Sequence, residues 1–177
     1  MKKYRTEKVK GKYRIIALIE IPNICKPGDL GGIIASEANL SHEGSCWVDV
    51  RARVYGNALV MGDAQVFGSA HVYGDAIVSG NGCIFGCAHV SGEAEVSESA
   101  EVNGLARVHG NAKIKGKAKV YGDARIFGNA VIAGTAQVYG HVLVHMNAIV
   151  EGNARVFGVT EVDHDLHLTE GVRCVRV

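Results

Sequence analysis

The hydrophobic positions of this chain recur every six residues. Every sixth residue from Val48 to Leu168 is aliphatic, 21 positions in all, with no insertion or deletion. Two more columns share the register. Two residues before the anchor, from Ala52 to Ala154, 16 of 18 positions are Ala, with Gly82 and Val142 as exceptions. Two residues after it, from Gly56 to Gly158, 16 of 18 are Gly, with Glu98 and Met146 as exceptions. Asn or Asp often follows that glycine, as in Gly56-Asn57 and Gly122-Asp123.

Each column has a physical cause. Side chains alternate along a strand, so the anchor and the Ala two before it face the same way. β-Branched anchors suit a pleated surface. Gly-Asn and Gly-Asp supply backbone that can turn sharply. Each hexad therefore predicts one short strand and one corner, with room only for Ala inside the corner. A period of six fits neither an α-helix nor a heptad, and strands this short do not build a flat meander. What remains is a solenoid of coils stacked about 4.8 Å apart.

In these columns the chain resembles the hexapeptide-repeat family, whose fold is the left-handed parallel β-helix. The resemblance implies an all-β triangular solenoid with three hexads, about 18 residues, per coil. The roughly 120 repeat residues would then make about seven coils, ~32 Å tall. Homotrimers are usual in that family, so a homotrimer is expected here.

The ends read differently. Tyr4 to Val9 and Tyr13 to Ile21 predict a β-hairpin around Lys10-Gly11-Lys12. Pro22, Pro27 and Gly28-Asp29-Leu30-Gly31-Gly32 are turn signals. Residues 1–46 thus read as an N-terminal β cap, covering an edge that would otherwise template aggregation. Residues 47–170 read as the β-helix and 171–177 as its C-terminal end or cap. The stretch Gly28-Asp29-Leu30-Gly31-Gly32, Ala38-Asn39-Leu40-Ser41 and Cys46-Trp47-Val48 is similar to the cap of a group of phage and prophage proteins with such a solenoid. That group has Trp and Glu after the Gly-Gly pair, where this chain has Ile33 and Ile34. The resemblance implies a viral or mobile-element origin and implies no reaction.

Composition narrows the classes. Glycine at 23 residues beside 2 prolines suits tight turns in a packed fold rather than a linker. The charge of +1, from 19 Lys+Arg and 18 Asp+Glu, gives no global reason to expect nucleic acid or a membrane as partner. No apolar run approaches the roughly 20 residues that span a bilayer. The basic start, Met1-Lys2-Lys3-Tyr4-Arg5, has no apolar signal core behind it. A cytoplasmic location is expected, that of the host cell if the protein is viral. The five cysteines, Cys25, Cys46, Cys83, Cys87 and Cys174, form no CxxC pair. Reduced, mostly buried thiols are expected of them, with no role assigned to Cys83 or Cys87.

Following residues 18 apart separates three outward faces. On the first, the column leading the anchors is Arg53, His71, His89, Arg107, Arg125, Leu143 and Glu161, and the trailing column is Tyr55, Tyr73, Ser91, His109, Phe127, His145 and Asp163. Five consecutive coils therefore carry Arg or His in line beside aromatic rings. Stacked like charges repel, so such a ladder costs stability unless something anionic sits against it. Arg and aromatic planes suit phosphates and bases. A solvated face whose rings merely stack would read the same way. The second face carries Leu59, Met61, Ile77, Val131 and Ile149, a candidate protein interface. The third carries the aromatic column Phe67, Phe85, Tyr121, Tyr139 and Phe157.

Most characterised hexapeptide-repeat proteins are acyltransferases using acetyl-CoA or another acyl donor, with a His base and a loop that interrupts the repeat. His109 or His145 would be that base here, but the register never slips. A carbonic anhydrase of this fold holds zinc with three His; the pairs His71/His89 and His141/His145 do not assemble that set, so no metal is expected. No phosphate-binding loop and no nucleophile elbow stands out. The reading preferred is a non-catalytic binding protein without cofactor. Arg53, Tyr55, His71, Tyr73, His89, Arg107, His109, Arg125 and Phe127 would hold an anionic, nucleotide-like small molecule or an acidic host protein. The acyltransferase and a purely structural assembly protein are the rivals.

Overall fold

The computed structural model describes residues 2–175, with side chains described through residue 171. Cys174 as a side chain, and the last two residues of the expected C-terminal end, lie outside the described residues. The molecule is an all-β parallel solenoid of about eight coils, with about 18 residues in each. The only helical turn among the described residues is a 3-10 turn, Glu37–Asn39. Among the described residues no helix is long and apolar enough to cross a membrane.

Hexads become two-residue strands, such as Arg53–Val54, His71–Val72 and Arg107–Val108. Alternate backbone N–H groups donate to carbonyls one coil on, as His71 N does to Ala88 O at 2.9 Å. The anchors and the Ala column fill the core, and Val54, Val72, Val90, Ala52 and Ala70 are all fully buried. Gly92 turns its corner at φ 67°, in the left-handed region that glycine enters freely. A Cβ there would come within 2.9 Å of Gly110 N on the next coil, so both conformation and spacing demand glycine. Glu98 and Met146 hold the same conformation, φ 58° and 57°, without glycine's freedom.

Strands on the second face form a seven-stranded sheet. The long strands Gln137–Val144 and Arg155–Val162 run through a corner and join the first and third faces into one sheet of 16 strands. The first face is the one that continues into the cap. We label the cap strands β1 (Tyr4–Val9), β2 (Lys12–Ala17) and β3 (Leu30–Ile34). β1 and β2 are antiparallel across Lys10 and Gly11, both at positive φ (48° and 77°), as a two-residue hairpin turn requires. β2 ends at Ala17 rather than Ile21; Ile21 instead bridges Cys25.

β3 pairs antiparallel with β2 and parallel with Arg53–Val54. Ile34 therefore enters the core above Val54, and Leu40 bridges Val60. Together these add a coil above Val48, which is why there are about eight coils and not seven. Gly31 and Gly32 make the join possible. A Cβ on Gly31 would strike Ile15 and Trp47, and one on Gly32 would strike Val48 and the Ala52 carbonyl. Lys3, 1% exposed, plugs the end of this first coil. Its ammonium donates to Gly44 O (3.2 Å), Glu43 O (3.4 Å) and Cys46 Sγ (3.1 Å).

Of the thiols expected to be mostly buried, Cys25 and Cys46 are buried, Cys83 is half-buried and Cys87 is exposed. Cys87 occupies the residue after a corner glycine, a position that points outward in every coil.

Candidate functional site

The first face carries the column that the 18-residue arithmetic assembles. Arg53 pairs with His71, His71 with His89, His89 with Arg107, Arg107 with Arg125, and Arg125 with Leu143. The side chains stand on two-residue strands whose anchors are fully buried, so the rungs are held by the core itself.

The trailing column is an aromatic ladder. Tyr55 stacks on Tyr73 with ring centres 5.0 Å apart and planes 3° from parallel. His109 stacks on Phe127 at 5.0 Å, and Phe127 on His145 at 4.8 Å. The two columns also touch each other. His71 meets the Tyr55 ring edge-on at 6.0 Å, and His89 meets Tyr73 at 6.3 Å. His71 and His89 are themselves stacked at 5.0 Å.

Charge is distributed unlike that on the other faces. On the second face Lys113 sits beside Glu95 at 3.9 Å and on the third Lys119 sits beside Glu101 at 3.0 Å, while Lys115 and Arg155 on those faces form no ion pair among the described residues. Among the described residues, Arg53, Arg107 and Arg125 form no ion pair. Burial and the neighbouring cations hold the His71, His89 and His109 imidazoles below their ordinary pKa. For His71 the cause is burial first, then His89, Arg53 and Lys12. For His89 it is burial and then Arg107, and for His109 burial and then Arg107 and Arg125.

Two open hollows flank this column. One, of about 480 Å³, lies on the corner side and is lined by Cys87, His89, Arg107, Arg125 and Leu143 together with the contacting pair Asp123 and His141. The second, of about 590 Å³, lies on the aromatic side between Tyr73, His89, Ser91, Arg107 and His109. The structure therefore brings all nine expected ligand-binding residues onto one wall, with the concave ground centred on His89 and Arg107.

The sequence reading missed the upper end of the wall. The Lys12 ammonium lies 5.4 Å over the Tyr55 ring, and Arg14 lines a third hollow with Arg53 and His71. Both come from the hairpin, which has no hexad to reveal its register. At the lower end, His145 Nε2 is 2.7 Å from Glu161 Oε1, and donor atoms of His145, Glu161 and Asp163 lie within 4.8 Å of one another. Asp163 also meets His164 at 2.7 Å, so these four groups form two close His–carboxylate contacts. His141 faces Asp123 at 3.3 Å. His109 and His145, the alternative catalytic bases, are both packed on Phe127. Among the described residues no loop leaves the solenoid beside them.

This wall stands on a β-solenoid of repeating short strands, and that is the class the fold defines. Two stretches, residues 52–68 and 118–134, match the family model of the YdcK beta solenoid repeat. Both lie inside the hexad array and support a β-solenoid repeat. No curated protein matches the chain.

Proposed function

We propose that the protein is a non-catalytic binding protein whose first face holds an anionic small molecule bearing a flat ring, nucleotide-like in chemistry. The observation that carries this is the contrast in charge. Arg107 and Arg125 are register partners that form no ion pair among the described residues, with Asp123 lining the same hollow but held by His141, while Lys119 and Glu101 pair on the third face. Like charges stacked in a sheet oppose folding, so the uncompensated column is best explained by an external anion. Arginine suits phosphate because its fork donates two parallel hydrogen bonds. The resemblance of the cap to phage proteins agrees with a protein that sequesters a nucleotide signal in a host cell. In-register aliphatics on the second face, Leu59 over Ile77 and Val131 over Ile149, agree with assembly into a homotrimer.

Calorimetric titration with inorganic pyrophosphate and with the four ribonucleoside diphosphates tests the reading. Binding by the wild type, lost in Arg107→Glu, is the expected result. No binding of any of these anions by the wild type would refute it. Acetyl-CoA binding with turnover that depends on His109 or His145 would replace it with the acyltransferase reading.

A further inference from the structure

The aromatic ladder on the first face has a missing rung. Tyr55 and Tyr73 stack above it, and His109, Phe127 and His145 stack below it, but the coil between carries Ser91. The rings above and below are nearly parallel to their stacked neighbours, within 3° for Tyr73 and 4° for His109. Two coil steps separate Tyr73 from His109, so their planes stand roughly 10 Å apart with only a hydroxymethyl group between them. A flat ring placed there would stack on both neighbours at the spacing the ladder already uses.

The surroundings of the gap are those of a ring-binding slot. It is the floor of the hollow lined by Tyr73, His89, Ser91, Arg107 and His109. Above the gap, Tyr55 meets His71 and Tyr73 meets His89, each the leading side chain of the next coil, edge-on. The corresponding neighbour of the Ser91 gap is Arg107. A heterocycle in the slot would thus present its edge acceptors to a guanidinium. Anionic groups attached to it would reach His89, Arg107 and Arg125. The corner beyond Gly92 carries exposed Glu93, away from the leading column.

The third face supplies an internal comparison. Its ladder, Phe67–Phe85 and Tyr121–Tyr139–Phe157, is also interrupted, at Asn103. The leading residues beside that gap are Glu101 and Lys119, which close on each other at 3.0 Å. A missing rung alone therefore does not distinguish the two faces. Only the Ser91 gap is bordered by free cations among the described residues.

We propose that the Ser91 gap is the seat of the ligand's ring: the base of a nucleoside phosphate intercalates between Tyr73 and His109, with its phosphates on the Arg107–Arg125 column. This deepens and rests on the binding function proposed above.

The test compares each ribonucleoside diphosphate with inorganic pyrophosphate, which carries the charge without the ring. Loss of base stacking between aromatic side chains typically weakens binding by about tenfold or more. The wild type is expected to bind at least one diphosphate about tenfold or more tightly than pyrophosphate. Ser91→Phe fills the rung and is expected to erase that preference and to raise the thermal midpoint. Ser91→Leu, which fills the slot without a ring, should erase it as well. Asn103→Phe on the third face should leave it intact. Retention of the full preference in both Ser91 variants, or its loss in Asn103→Phe, overturns the slot. The basic-face reading would survive that result if pyrophosphate binding still vanished in Arg107→Glu. If the wild type binds none of these anions, both fall together.

Discussion

Arg107 and Arg125 are register partners on adjacent coils, and no carboxylate among the described residues pairs with either. Stacked cations at sheet spacing repel, so this part of the wall is a cost to the free protein. Arg125→Glu should therefore stabilise the unliganded solenoid, by about 0.2–1 kcal/mol, while weakening anion binding. Thermal melts in low salt without phosphate, beside calorimetry with pyrophosphate, check both halves. A destabilised variant with intact binding would mean that Arg125 serves packing alone.

Acid should weaken the free protein through the same wall. His71, His89 and His109 are held below the ordinary imidazole pKa by burial and by neighbouring cations. Between about pH 6.5 and the lower folded values, the unfolded chain binds more protons than the folded one. The stability contributed by the neutral imidazoles is complete above about pH 6.5 and is lost as pH falls through the folded pKa values. The thermal midpoint should thus drop from pH 7 towards pH 5, and pyrophosphate should blunt the drop because it favours imidazolium. The lowered carboxylates Glu37 and Asp63 enter only in more acid solution. A midpoint that does not change from pH 7 to pH 5 would contradict the electrostatics of the face.

Glu98 and Met146 occupy corners in the left-handed region, where a side chain costs roughly 1–2 kcal/mol. Replacement by glycine relieves that strain and adds freedom to the unfolded chain. Glu98→Gly and Met146→Gly should each stabilise by a net ~0.5–1 kcal/mol. The reverse change, Gly104→Ala, should destabilise by more than 1 kcal/mol, since its Cβ would also approach Gly122 N at 2.9 Å. Urea unfolding midpoints measure all three.

Lys3 buries its ammonium against two carbonyls and the Cys46 thiol. Lys3→Ala leaves those acceptors unsatisfied and should cost about 1–3 kcal/mol. Because Lys3 adjoins the hairpin, the loss should appear first as faster hydrogen exchange in β1 and β2. Uniform acceleration across all coils would mean that the cap and the solenoid unfold as one unit.

The hexad array was legible because inner positions of a thin solenoid tolerate so few residues. The fully buried anchors Val54 to Val156 and the Ala column leave no ambiguity of register. Once the period was known, counting by 18 placed Arg53 through Arg125 on one wall without any knowledge of side-chain geometry. The first coil was not legible. Ile34 and Leu40 are core anchors, but eight residues rather than six separate Leu40 from Val48, so a strict period stops at Val48. Lys12 and Arg14 were hidden because antiparallel pairing of β2 and β3 obeys no repeat. Ser91 was visible as a departure from an aromatic column. Its meaning as a gap depends on the ring planes above and below being parallel, which a sequence does not state.

Backbone amide mapping by NMR during a titration with a ribonucleoside diphosphate tests the central claim most directly. The largest shifts should fall at His89, Ser91, Arg107, His109 and Arg125, with Glu95, Lys113, Glu101 and Lys119 on the other faces unmoved. Shifts confined to those other faces, or none anywhere at saturating nucleotide, would contradict binding on the Arg-His wall.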